Sequence, residues 1–443
     1  MKKKIKESLS SFFVKTKEKI KVYTNNYKNK QNELSEILAE SQRIKSIDRF
    51  RGFLVFCMLV FQFLNKFDNL TFLNKLANHY NHGIGIEILP HMTIADMVAP
   101  AFIFAIGLTF AMTFIKRQKL YGTKIAVVHH LERSLGIIGL GCFLGLCGNI
   151  LDSFGGKHTL NAFDYSVLAV SVIMLIGIVL RLLTNVPKLK NNKYFPKIAE
   201  QIFYISISVL GIMDIIITCI DWHYVLTTGD LVYRYWLTLQ DIGFAMLIAL
   251  PLIKAGSFVK FTVATAGFIG YTVYHQQPGV MELLDIPVHG GIIGGFGWAM
   301  ILIYSMIFAD LYFKDKTNAL IYAGFFAGIG ILLTQWIGVL NLGSCSPTFI
   351  ITNVGLSGLI FMLFDYCDKF RKPSFDFLVW WGKNPIVMFL VEFFAIGLYT
   401  SLVPDSILKD APLWLALLEG IIAVAILTAF AYLLSRKKKT IRL

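Results

Sequence analysis

Two apolar runs and the polar join between them decide the class of this protein: SIDRFRGFLVFCMLVFQFLNKF (46–67) and HMTIADMVAPAFIFAIGLTFAMTF (91–114). The join carries His79 and His82, and His91 stands at its end. Hydrophobic runs need no polar chemistry, so Gln62, Asn65 and Asp96 near the ends of these two ask for an explanation. Similar runs of roughly 18–24 apolar residues recur down the chain, each long enough to cross a bilayer core.

Composition agrees with this reading. The 443 residues are 56% hydrophobic and 16% charged, whereas soluble domains sit near 45–50% apolar and about 25% charged. A soluble core of this size would need far more polar surface. The sequence predicts an all-α, polytopic helical bundle in a membrane.

The net charge of +14 invites a nucleic-acid reading, but its placement argues otherwise. Residues 1–51 contribute +8 and the tail Arg436–Leu443 contributes +5, so thirteen of the fourteen charges lie at the two ends. Basic segments beside membrane spans mark the cytoplasmic side and are drawn to anionic lipid. No nucleic-acid motif is present. Residues 1–45 form a basic juxtamembrane segment, read as short helices on the membrane face or a solvated tail, and 46–443 form the membrane domain. About fifty mostly polar residues precede the first apolar run, unlike a signal peptide. The six cysteines are scattered, with no zinc or disulfide spacing.

Twelve spans are expected, at 52–67, 93–115, 134–151, 164–185, 200–220, 235–254, 258–275, 290–313, 318–341, 348–366, 384–403 and 412–435. With both termini cytoplasmic, the inner loops collect Lys116, Arg117, Lys119 and Lys124, then Lys188 to Lys197, Lys254 and Lys260, Lys314 and Lys316, and Lys369 to Lys372. The outer loops are poorer in Lys and Arg, which follows the positive-inside rule. Seven of the nine histidines then fall on the outer side, and only His129 and His130 on the inner. Histidine titrates near neutrality and serves as acid, base or nucleophile; a polar anchor at the interface is the plainer role.

Asp96 is the strongest candidate for chemistry. TIAD reads as a helix start, where the dipole favours an acid; the same carboxylate is able to orient a neighbouring His. Pro100, just beyond, is expected to kink its helix beside a cavity. Asp214, Asp241 and Glu392 lie within runs and Asp310 near the end of one. Charge in a bilayer costs about 2.5–3.5 kcal/mol on insertion scales unless it faces protein or water. Each is therefore either functional or paired between helices. Arg133, with Lys116, Arg117, Lys119 and Lys124, forms a basic patch suited to phosphates, or simply to anchoring. No Gly-rich phosphate loop, GxSxG elbow or HExxH is present.

SIDRFRGF, the polar residue ten positions past Gly52, the outer His loop and TIADMVAPAFIFAIG together resemble the transmembrane heparan-α-glucosaminide N-acetyltransferase family and its bacterial relatives. TLQDIGFAMLIA, LNLGSCSPTF and WWGKNPIVMFLVE resemble three further family stretches in order, so the resemblance covers most of 46–443. It implies transfer of an acetyl group from cytoplasmic acetyl-CoA to an amino sugar across the membrane, with a His of the first outer loop as acetyl carrier or base. His79 takes that place, with His82 next; His91 stands where the family usually has Gly. Asp96 matches the family Asp. Gln62 replaces an Asn, Asp241 replaces an Arg, and about 160–230 is extra.

The expectation is a bacterial plasma-membrane acyltransferase. His79, His82 and Asp96 are its catalytic candidates. Gln62, Asn384 and Asp241 are candidates for holding a sugar amine or hydroxyl acceptor. Arg133, Lys116 and Arg117 are candidates for holding acetyl-CoA, and no metal is expected. Membrane lipids and a glycan or amino-sugar acceptor are the expected partners, and a homodimer is left open. The alternative is a proton-coupled transporter relaying protons through Asp214, Asp241 and Glu392, although the two halves show no clear repeat. A scaffold without chemistry is the third reading.

Overall fold

The structure, a computed structural model, describes residues 44–65, 67, 71–80, 86–154, 159–184, 194–231, 233, 235–370, 376–403 and 412–436. The basic segment 1–43, His82 and the tail beyond Arg436 lie outside the described residues.

Helix α1 (Lys45–Leu64) is followed by the short α2 (Thr71–Ala77) and a two-stranded antiparallel hairpin, β1 (Glu87–Leu89) and β2 (Met92–Thr93). A 3-10 turn, Ala95–Met97, leads into α3 (Val98–Tyr121). Then come α4 (Thr123–Phe154), α5 (Ala162–Leu183), α6 (Phe195–Thr228), α7 (Thr238–Ala249) and α8 (Ser257–His275). The short α9 (Val280–Asp285) precedes α10 (Gly291–Lys314), α11 (Lys316–Leu333) and α12 (Pro347–Phe370). The chain ends with α13 (Asp376–Lys383), α14 (Pro385–Leu402) and α15 (Leu413–Arg436).

Among the described residues, eight helices are long and apolar enough to cross a membrane: α3 to α6, α10 to α12 and α15. The pair α13 and α14, bent by 94° at Asn384, makes a ninth if counted as one span. This is a multi-pass integral membrane protein. The other three expected spans also form helices but fall short of that standard. α1 opens with Asp48, Arg49 and Arg51, α7 and its following turn reach only from Thr238 to Leu252, and α8 is diluted by Lys260 and three threonines.

α10 is the core. Every residue from Gly297 to Asp310 is buried, as expected of a helix that is apolar all round. α15 lies at the rim and exposes Trp414, Leu417, Ile421 and Ile426. Exposed apolar side chains of this kind suit a lipid-facing helix, because acyl chains are as apolar as leucine.

α1 and α13 cross at two glycines. A Cβ on Gly52 would collide with the Leu378 carbonyl, and one on Gly382 with the Asp48 carbonyl. Small residues let helix backbones approach this closely. The crossing ties RFRGF to WWGKN, stretches that lie more than 300 residues apart.

Two local expectations change. α4 begins at Thr123, one residue after Gly122 ends α3 at φ 87°. His129, His130 and Arg133 are therefore helical residues rather than loop residues. Polar side chains hid this helical start from a count of apolar residues. Pro100 lies in the first turn of α3 rather than mid-span, where its missing N–H is one of the unpaired four in any case.

Candidate functional site

The hairpin brings His79 against Asp96. His79 Nδ1 lies 2.7 Å from Asp96 Oδ1. The histidine side chain is 42% exposed and the aspartate 2%, so the ring reaches open space while its carboxylate is sealed. Asp96 Oδ2 accepts from the Thr93 N–H at 2.8 Å and the Thr93 hydroxyl at 3.0 Å. The Asp96 N–H donates back to Thr93 Oγ1 at 3.4 Å. This reciprocal pair closes the turn ahead of the 3-10 segment that leads into α3. One oxygen of Asp96 holds that turn and also takes the Tyr80 N–H at 3.3 Å, while the other bonds the histidine. With Nδ1–H given to the carboxylate, Nε2 is the ring nitrogen left for a reactant.

His91 is a turn residue. It follows Pro90 at φ 62°, a left-handed position where glycine is usual, and its ring packs on Tyr80. His82 lies outside the described residues.

A second aspartate–histidine pair has the same design. His289 Nδ1 lies 2.7 Å from Asp241 Oδ2, and Asp241 Oδ1 accepts from the Trp236 indole N–H at 2.7 Å. Asp241 is completely buried. His289 sits at φ 53°, a conformation costing on the order of 1–3 kcal/mol that persists only where its surroundings fix it. The Asp241 bond and the Trp298 ring, 5.2 Å away, supply that constraint. His289 was one of several outer histidines in the sequence. The signal that marks it is the Gly-Gly step that follows.

Both histidines line one cavity of about 820 Å³. Gln62, Asn65, Asn384, Lys116, Arg117, His129 and Arg133 line it too. Asp96 and Asp241 stand behind their histidines and do not line it, so Asp241 is not placed to touch a ligand. Position along α3 gives the cavity its direction. Asp96 precedes the helix and Lys116 follows it by twenty residues, roughly 30 Å at the helical rise. The cavity thus has a histidine end and a basic end. Gln62 and Asn65 make the histidine end polar, and among the described residues the buried Asn65 Oδ1 has no hydrogen-bond partner. Asn384 enters at the break between α13 and α14, and Pro385 opens the second helix. Irregular backbone at membrane depth is found where it lines a cavity.

No protein-family model and no curated protein matches the chain.

The remaining buried acids sort differently. Asp310 pairs with Lys260 at 2.8 Å and accepts from Ser257, a link between α8 and α10. Asp214 accepts from the Gln240 amide at 2.8 Å. Glu392 is buried in α14, and among the described residues neither carboxylate oxygen is hydrogen-bonded. His130 is a satisfied core histidine, with Nδ1 on the Ala126 carbonyl and Nε2 near the Thr113 hydroxyl. Among the described residues, no group of three or more His, Cys, Asp or Glu side chains is arranged to hold a metal ion.

Proposed function

We propose that this chain is a membrane-embedded acyltransferase that carries an acetyl group from acetyl-CoA to a sugar amine or hydroxyl across the membrane. The observation that supports it is one cavity lined by cations at one end and by a carboxylate-held histidine at the other. Arg133, Lys116 and Arg117 are suited to the phosphates of the donor. The resemblance of 46–443 to the heparan-α-glucosaminide N-acetyltransferase family supports the same reading. On it, α1, α7 and α8 also span, giving twelve spans with both termini cytoplasmic. The basic end then faces the cytoplasm of a bacterial plasma membrane, consistent with the Lys and Arg distribution.

In this mechanism His79 Nε2 attacks the thioester carbonyl carbon. The C–S bond breaks and coenzyme A leaves as thiolate. Asp96 steadies the imidazolium that carries the acetyl group. Gln62, at the histidine end, donates to the carbonyl oxygen as charge builds on it, and Asn384, farther along the cavity, is suited to hold the donor chain. The acceptor then attacks the acetyl carbon, its proton departs, and the C–N bond to His79 breaks. Purified protein in nanodiscs, given radiolabelled acetyl-CoA and glucosamine, tests this by thiol release and sugar labelling. His79→Ala should abolish both, while His82→Ala should leave both within a few fold. Full activity in His79→Ala would overturn the assignment.

A proton-coupled transporter is the second reading, carried by the unbonded carboxyl of Glu392. Uptake of a solute driven by a pH gradient, lost in Glu392→Gln and unaffected by acetyl-CoA, would favour it.

A further inference from the structure

We propose that His289, held by Asp241, is the base that removes the acceptor's proton, so that the two histidines divide the reaction between acyl capture and proton transfer. This rests on the acyl-transfer reading. Three observations carry it.

First, the pair is built like the other one. In each, a buried carboxylate fixes Nδ1 at 2.7 Å and leaves Nε2 as the second ring nitrogen of a cavity-lining histidine. A second imidazole with Nδ1 fixed by a carboxylate and a cavity beside the ring is the arrangement a general base requires, and packing alone does not call for it.

Second, both pairs stand at the same end of the cavity. Asp96 and Asp241 each open a helix, α3 and α7. α4 runs back along both of them: His130 packs on Phe110 and Phe114 of α3, while farther up α4 the Ser134 carbonyl lies against Gly243 and Gly141 against Gln240. α3 and α7 therefore run parallel, and both begin toward the end of α4 away from His130. His289 reaches Asp241 from the head of α10, a third helix that begins there.

Third, the backbone at His289 is held in a left-handed conformation between Pro287 and two glycines that also have positive φ. Strain of this kind persists at sites that aim a side chain. Asp241, sealed behind the ring and bonded to Trp236, is the positioning residue.

The proton balance closes. The first half-reaction consumes the free Nε2 of His79 and releases a thiolate. In the second, the amine or hydroxyl of the acceptor attacks the acetyl carbon while His289 Nε2 takes its proton, and His79 leaves as a neutral ring. The proton on His289 then passes to solvent.

The two half-reactions separate the roles. Wild-type protein, His289→Asn, His289→Gly, Asp241→Asn and His79→Ala would be compared in nanodiscs with acetyl-CoA alone and with added glucosamine. Asn and Gly both accept the left-handed backbone, and thermal unfolding would establish that each variant is folded. The His289 variants should release thiol in one burst of about one equivalent, as wild type does. Their steady-state transfer to glucosamine should fall roughly 100- to 10,000-fold, the span of general base catalysis. Free imidazole should restore transfer in His289→Gly but not in His79→Ala. Transfer unchanged in a folded His289 variant would overturn the proposal. So would loss of the burst together with transfer, or failure of imidazole to rescue. If wild type itself releases no thiol, the acyl-transfer reading falls, and this inference with it.

Discussion

Asp96 Oδ1 receives the Nδ1 of His79 at 2.7 Å while its other oxygen closes the turn that begins at Thr93. One side chain serves the fold and the reactive ring together. Asp96→Asn tests them apart, because an amide oxygen still accepts from Thr93 but carries no charge for an imidazolium. We expect a small drop in melting temperature. Acetyl transfer should fall by about 100- to 10,000-fold, the scale on which a histidine deprived of its carboxylate loses function. Turnover and thermal unfolding on the same preparation check both halves.

Trp236→Phe removes the indole N–H and leaves Asp241 Oδ1 without that donor in a fully buried position. An orphaned buried acceptor costs about 1–3 kcal/mol, more for a charged one. The variant should unfold at a lower temperature than wild type, and Asp241→Asn combined with it should recover part of the loss. Additive losses in the double variant would show that the two side chains are not coupled.

Gly382→Ala places a methyl group where the Asp48 carbonyl already lies. Overpacking of this kind costs about 1–3 kcal/mol, and more when the obstacle is backbone. Fluorescence size exclusion should show a poorly folded protein, and Gly52→Ala should behave alike. A Gly328→Ala control, whose methyl meets nothing within 4 Å among the described residues, should be silent.

Arg133→Ala should raise the KM for acetyl-CoA about tenfold or more and change kcat little, because a phosphate contact far from the reacting carbon binds ground and transition states alike. Lys116 is exposed and Arg133 is partly buried. Salt should therefore weaken the contribution of Lys116 more than that of Arg133. Calorimetry with coenzyme A at two ionic strengths reads this directly.

Asp285 supplies a pH prediction. It lies at the end of α9, between spans, where burial raises its carboxyl above the usual range; Asn341 acts against this and Glu282 adds to it. The unfolded chain titrates this group near the ordinary value of about 3.9. The folded state therefore holds the proton more tightly. Its contribution to stability is fully present below the unfolded value and is lost as pH rises through the folded one. Asp285→Asn should flatten that part of the melting profile between acidic and neutral pH.

What the sequence revealed follows from distance along the chain. His79 and Asp96 are 17 residues apart, within one hairpin whose TIAD start announces itself, so their meeting was legible. Asp241 and His289 are 48 residues apart on different helices. Only packing brings them together, and Asp241 read as an acid in search of a ligand rather than of a histidine. The basic residues were legible as charge but not as helix, because polar side chains at the start of α4 masked its first three turns. The crossing of Gly52 and Gly382 was invisible, since no pattern within either stretch names its partner.

Helix length has a mechanical consequence. α4 has 32 residues and α6 has 34, about 48 and 51 Å at the helical rise. A hydrocarbon slab is about 30 Å thick. Lys124, Glu132 and Arg133 of α4, and Lys197 and Glu200 of α6, all fall in the opening third of their helices. The opening turns of α4 and α6 lie side by side, with Glu132 beside Glu200, and charge is costly in hydrocarbon, so the surplus length gathers at this charged end. A bilayer that thickened or thinned would slide along these turns without displacing Lys124 or Arg133.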